Sequence, residues 1–338
     1  MKKLPEIEQI ESMIPTLGSR ARFEILAHSQ KGEVKMPIYK ITFGSEDPSA
    51  PVLGFTGGVH GLERIGAQVC VSLLHSLGQL AMWDESIQET LKKVRVFFIP
   101  TVNPIGIFKK TRANPRGVDL MRNAPVEADN AARWVGGHRR GPHFPWFRGY
   151  EGQPMEVESQ ALVDAVEKEI SQSRLAVTLD VHSGFGFLDR IWFPYAKTVQ
   201  PFPDLPSAFR LKELLDKTYP YHFYNFEPQA QSYTTHGDLW DYLYDQHRAK
   251  NYPGLYMPLC LEMGSWMWVK KNPWQIFLAD GPFNPMKLHR LRRILRRHNT
   301  LMEFLIRAVA SKDSWVTQDQ QLQLQWESKA KELWYADV

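Results

Sequence analysis

An α/β fold is predicted, built as a single domain around a mixed, mostly parallel twisted sheet with helices on both faces. Three observations carry this. Short apolar runs bounded by turn residues alternate with longer stretches of helical periodicity, the order that generates a mostly parallel sheet. The 338 residues hold no internal repeat, low-complexity linker or long Gly/Ser or Pro run that would mark a boundary. At 43% hydrophobic and 23% charged, the chain lies among packed domains, which excludes wholesale disorder.

The elements follow in order. Apolar runs at 37–43, 52–57, 94–100, 175–181, 190–193 and 255–261 read as strands. Helical spacing runs through 62–80, which carries Ile65, Val69, Val71, Leu73 and Leu74. It recurs over 154–171, where Leu162, Val163, Val166 and Ile170 share a face and acids occupy the first turn. Residues 131–150, rich in Arg, Gly, His, Pro and aromatics, read as a long irregular loop of the kind that often carries function. Residues 287–297 hold six Lys or Arg in eleven. Leu288, Leu291, Leu295 and Met302 keep helical spacing through them, so a buried stripe with a solvated basic face accounts for the charge. The domain is expected to span 1–312, followed by a polar, Gln-rich tail at 313–338.

Composition narrows the function. The 41 Lys plus Arg against 37 Asp plus Glu leave a formal charge of +4, too small to predict a nucleic-acid or acidic-membrane partner. No run approaches the roughly 18 to 20 consecutive apolar residues of a membrane span, so no membrane partner is predicted. The basic start Met1-Lys2-Lys3 leads into charges where the apolar core of an export signal belongs. Cys70 and Cys260 are the only cysteines, which excludes a disulfide framework. A cytoplasmic location is expected. The sequence has no G-x-S-x-G elbow, phosphate-binding G-x-x-x-x-G-K-[ST], H-E-x-x-H or C-x-x-C. Gly184 and Gly186 lack the third glycine of a dinucleotide loop.

Chemistry gathers at three strand ends. Gly57-Gly58-Val59-His60-Gly61-Leu62-Glu63 follows one apolar run and precedes a helix. A three-residue step in a tight turn lets the His60 imidazole and the Glu63 carboxylate converge, a pair suited to zinc. A second run ends in Asp180-Val181-His182-Ser183-Gly184. Two nearby ligands and a distant one, with a fourth position left to water, is the layout of a His₂Glu catalytic zinc site. A third run ends in Glu262-Met263-Gly264, where a carboxylate could face the same site as a general base.

With these residues in order, the sequence resembles the M14 zinc carboxypeptidases of the carboxypeptidase A type, from about residue 37 to 268. Further matches are Asn103-Pro104-Ile105-Gly106, Thr111-Arg112, Gly117-Val118-Asp119-Leu120-Met121-Arg122-Asn123, and Ser232-Tyr233 followed by Asp241. The resemblance implies one zinc per chain on His60, Glu63 and His182, with Asp119 orienting His60. It implies that Glu262 takes a proton from the zinc-bound water, that Arg122 grips a terminal carboxylate, and that Tyr233 closes over the substrate. Lys109 and Arg112 compete for the role of polarising the scissile carbonyl. Arg112 is preferred because a planar fork suits an oxyanion better than an ammonium.

One departure stands out: Met121 replaces the family's usual Asn beside Arg122 and cannot donate a hydrogen bond. Either Asn123 or a loop residue is expected to substitute, or the substrate end differs from a plain peptide C-terminus. Trp240 aligns with the floor of the side-chain pocket, which predicts a shallow pocket; the alternatives are that Trp240 packs in the core and that Asp238 and Asp241 favour a basic terminal residue, though Asp238 is expected to face solvent. The predicted function is cleavage of a peptide or amide bond beside a free carboxylate, on a peptide or N-acyl amino acid substrate. The alternatives are an amidase or deacylase of the same fold, acting on N-acyl amino acids or cell-wall peptides, and a non-catalytic binding protein.

Overall fold

Eight strands form one sheet in the order β1-β2-β4-β3-β5-β8-β6-β7. They are β1 (Ala21–Lys31), β2 (Val34–Gly44), β3 (Val52–Gly57), β4 (Arg95–Ile99), β5 (Leu175–Ser183), β6 (Asp189–Phe193), β7 (Tyr224–Pro228) and β8 (Leu255–Met263). The structure, a computed structural model, describes residues 4–184 and 186–336. The basic start at 1–3, residue 185 and the last two residues lie outside the described residues.

The central strands β4, β3, β5 and β8 run parallel, and antiparallel pairings attach β2 to β4 and β6 to β8. Every residue of β3, β4 and β5 is buried, which is why these strands read as largely apolar runs rather than alternating ones. Two edge strands escaped the sequence reading. Strand β1 is half-exposed and mixes polar and apolar residues, and it joins β2 through a two-residue turn with Gly32 at φ 59°. Strand β7 is a five-residue edge ending in Pro228.

Helices Arg64–Trp83 and Asn299–Ala310 pack on β3 and β5, while Val157–Ile170 packs on β1 and β3 and Leu239–Ala249 on β8. Helix Arg64–Trp83 is long and apolar enough to cross a membrane by composition, yet it lies largely buried against the sheet. Beyond Lys312, residues Gln320–Trp334 form a helix packed along helix Leu205–Thr218. Trp334 is buried there against Phe193, Phe226 and Phe209, and its indole N–H donates to the Phe226 carbonyl at 3.0 Å.

Candidate metal centre and its cavity

Three adjacent parallel strands aim their carboxyl ends at one point. His60 lies just beyond β3, whose last residue, Gly57, pairs with Val181 of β5. His182 of β5 pairs in turn with Glu262 of β8. Because side chains alternate along a strand, Asp180 and His182 share one face of β5, and Cys260 and Glu262 share one face of β8. Glu63 stands at the start of helix Arg64–Trp83, which packs so closely on β5 that any side chain at Gly66 would strike the Val181 carbonyl. The loop carrying His60 is held by Asn103, whose amide donates to the Val59 carbonyl at 3.2 Å while its oxygen accepts from Gly106 N at 2.9 Å.

His60, Glu63 and His182 are all buried, and one ligand atom of each lies within 4.8 Å of the others. His60 Nδ1 is 2.8 Å from Glu63 Oε1, and His182 Nδ1 is 2.9 Å from Glu63 Oε2. Each imidazole turns its other nitrogen to a buried aspartate: His60 Nε2 to Asp119 at 3.0 Å, His182 Nε2 to Asp180 at 2.6 Å. This arrangement lets each Nε2–H donate outward and leaves both Nδ1 lone pairs facing the same carboxylate. Burial pushes the Glu63 carboxyl up, but the two imidazoles outweigh it and hold the group well below the usual carboxylate range. Burial works against a charged His182, yet Asp180 and Glu63 outweigh it and raise its pKa. A donor set of two imidazoles and a carboxylate, each imidazole backed by an acid, fits one divalent cation of the zinc type.

The centre opens into a cavity of about 980 Å³. Glu262, Arg112, Arg122, Tyr233 and Lys109 line it, and residues 131–150 supply a wall that includes Val135, Phe144 and Trp146. Arg112 Nη1 lies 3.2 Å from Glu63 Oε1 and its Nε donates to Asp119 at 2.8 Å. That places it nearest the centre, while Lys109 lines the same wall. Arg122 is buried, with Nε donating to the Val135 carbonyl at 3.2 Å and its guanidinium 6.0 Å from the Tyr233 ring centroid. Its backbone is fixed by Gly237, whose positive φ and contact with the Arg122 carbonyl leave no room for a side chain. Burial pushes the Tyr233 hydroxyl up to about 12, so it stays a neutral donor at physiological pH.

Three expectations need correction. Asn123 does not join the cavity: its Nδ2 donates to the Arg148 carbonyl at 3.1 Å and its Oδ1 accepts from Glu156 N at 2.6 Å, so the amide is spent on the fold. Trp240 is a core residue, not a pocket floor, because its indole N–H is drawn to the buried Asp180 at 3.0 Å. Asp238 does not face solvent. It is 2% exposed and lines the cavity, with Oδ1 capping helix Leu239–Ala249 and Oδ2 lacking a hydrogen-bond partner among the described residues. Asp180 was missed outright. An acid inside an apolar strand, two residues from His182 and therefore on its face, was the available signal.

Fold and site together define an α/β protein whose sheet gathers, at its carboxyl edge, a His-Glu-His group able to hold one metal ion. The chain belongs to the zinc carboxypeptidase family, peptidase M14, whose family model matches residues 9–269. It is 25% identical to mouse carboxypeptidase A4 over 211 residues, which cover 59% of this chain and 47% of that protein, so the match spans about half the relative's length. Its fold is similar to that of bovine thrombin-activatable fibrinolysis inhibitor, solved in complex with tick carboxypeptidase inhibitor: TM-score 0.65, 19% identity, 92% of this chain and 98% of that one. Carboxypeptidase A from Helicoverpa armigera aligns with a TM-score of 0.60 at 15% identity over 93% of this chain and 74% of that one.

Proposed function

We propose that the chain is a zinc-dependent metallocarboxypeptidase, removing a terminal residue from a peptide that ends in a free carboxylate. The observation that carries this reading is the register of β5 and β8, which sets Glu262 beside the ligand His182 on the floor of a cavity that also holds two arginines. His60, Glu63 and His182 would hold the zinc. Bound there, zinc acts as a Lewis acid that polarises a carbonyl and acidifies water. Glu262 accepts a proton from the attacking water and returns it to the leaving nitrogen. Arg112, beside Glu63, donates to the oxygen that gains charge. Arg122 pairs with the substrate carboxylate through a charge-assisted fork, and Tyr233 covers the bound end.

A second reading is favoured by Met121, which lines the cavity without a donor while Asn123 is committed elsewhere. A carboxylate held by Arg122 alone suits small N-acyl amino acids as well as peptides. The test is hydrolysis by zinc-loaded protein of matched free-acid peptides, amide-capped peptides and N-acyl amino acids. Release of the last residue from free-acid peptides alone supports the carboxypeptidase. Cleavage confined to N-acyl amino acids favours the deacylase, and equal cleavage of capped peptides removes both.

A further inference from the structure

The basic charge of this chain is concentrated on one face. Residues 264–302 carry eight Lys or Arg against a single acid, Asp280, a surplus of seven in a chain whose whole surplus is four. The remainder is therefore net negative. Asp280 is itself paired with Lys110 at 3.1 Å. Lys270, Lys271, Lys287, Arg292, Arg293 and Arg296 are exposed.

Set among these cations is a cluster of exposed apolar side chains. Trp274 is 80% exposed and Phe277 79%, with Ile276, Leu278 and Leu288 also exposed. The exposure is built into the fold. Between Trp274 and Ile276, the Gln275 side chain is buried and its amide donates to the carbonyls of Gly281 at 2.6 Å and Asn284 at 3.1 Å. With Gln275 locked inward, its neighbours on both sides must point out. Arg290 ties the two basic segments together, donating to the Trp268 carbonyl at 3.4 Å and the Lys271 carbonyl at 3.2 Å. Helix Leu288–Arg297 turns Ile294 into the core, pairs Arg297 with the buried Asp189 and leaves Arg292, Arg293 and Arg296 exposed.

We propose that this face docks on an anionic lipid bilayer. Trp274, Ile276, Phe277 and Leu278 enter the interfacial region while the exposed Lys270, Lys271, Lys287, Arg292, Arg293 and Arg296 lie against lipid phosphates. Exposed aromatic and aliphatic residues within a segment rich in Lys and Arg, whose one acid is already paired, have the chemistry of interfacial membrane attachment. Single-stranded nucleic acid would use the cations and aromatic rings, but Ile276, Leu278 and Leu288 offer no stacking surface. A second copy of the chain docked on the same face would set two positive surfaces against each other. Trp266 is partly exposed between this face and the cavity it lines, so docking would bring the cavity mouth close to the membrane.

The experiment is co-sedimentation of the full chain with phosphatidylcholine vesicles, with and without phosphatidylglycerol. The wild type should sediment with the anionic vesicles and weakly with the neutral ones. W274S/F277S should lower partitioning at least about tenfold, the scale of two lost apolar side chains. K270E/K271E should lower it about fivefold for each cation removed. Thermal melts of both variants should match the wild type, since the substituted side chains are exposed. Unchanged vesicle binding by W274S/F277S would overturn the proposal. So would a wild-type dimer that this variant dissociates, or retention on single-stranded DNA with none on anionic vesicles.

Discussion

Asp180 Oδ2 lies 2.6 Å from His182 Nε2, on the side of the ring away from Glu63. Asp180 is anchored in turn by the Thr56 hydroxyl at 2.7 Å and the Trp240 indole at 3.0 Å. A chain running from Trp240 through Asp180 therefore decides which nitrogen His182 presents to Glu63. Carboxylates behind metal-bound imidazoles raise ligand basicity and fix the tautomer, and their loss typically weakens metal binding about 10- to 100-fold. Asp180→Asn should lower zinc affinity by that factor in competition with a chelator, and should also lower the melting temperature of the metal-free protein, since it removes the charge paired with buried His182. An unchanged affinity would confine Asp180 to a packing role.

Neither sequence neighbour of Arg122 offers it an amide donor, because Met121 has none and the Asn123 side chain is committed to Arg148 and Glu156. Arg122→Ala should therefore damage free-acid substrates selectively, by roughly the 1.5–3 kcal/mol of a charged hydrogen bond, about 10- to 150-fold in kcat/KM. Equal loss on amide-capped substrates would assign Arg122 to the scissile carbonyl or to the fold.

The pocket that receives the terminal side chain is read differently once Trp240 is seen in the core. Asp238 supplies an acid to the cavity wall, with one carboxylate oxygen uncommitted among the described residues. Terminal residues bearing a donor, such as Lys or Arg, should be preferred over Phe, and Asp238→Asn should reduce that preference. Kinetics on peptides differing only in the last residue measure it. An identical ranking in the variant would exclude Asp238 from recognition.

How much of this was legible depended on where the information lies. His60, Glu63 and His182 could be placed together because each follows or ends an apolar run, and strand ends in parallel sheets gather at one edge. The roles first given to Asn123 and Trp240 came from alignment by position, which cannot say where a side chain points. Their partners, the Arg148 carbonyl and Asp180, are distant in sequence. The register that sets His182 beside Glu262 is likewise a long-range fact. Strand β1 was hidden because an exposed edge needs no apolar pattern. For the polar tail a terminal helix or an arm was legible, but the packing of helix Gln320–Trp334 was not, because only a few of its residues, Trp334 among them, are buried.

His298 is a test of stability rather than turnover. Burial and the adjacent Arg297 hold its imidazole well below its ordinary 6.5, with Nδ1 bonded to the Tyr224 hydroxyl at 2.8 Å and Asp189 3.8 Å from Nε2. The unfolded chain binds a proton near that pH and the folded chain does not, so stability is full above it and falls as pH drops through it. The expected slope is up to ~1.4 kcal/mol per pH unit. Urea unfolding between about pH 7 and pH 5 should show this slope, and His298→Gln should flatten it. A variant as acid-sensitive as the wild type would place the titration elsewhere.

In the proposed mechanism Glu262 moves protons beside a metal it does not bind. Glu262→Gln keeps the shape of the side chain and removes the base. Measured together, the zinc content and the turnover of this variant test the claim most directly. Glu262→Gln protein should hold one zinc per chain, as the wild type should, with turnover reduced about 10²- to 10⁴-fold, the range of a general acid–base group. Lost zinc would make Glu262 a ligand, and near-normal turnover with zinc retained would contradict its role as the base.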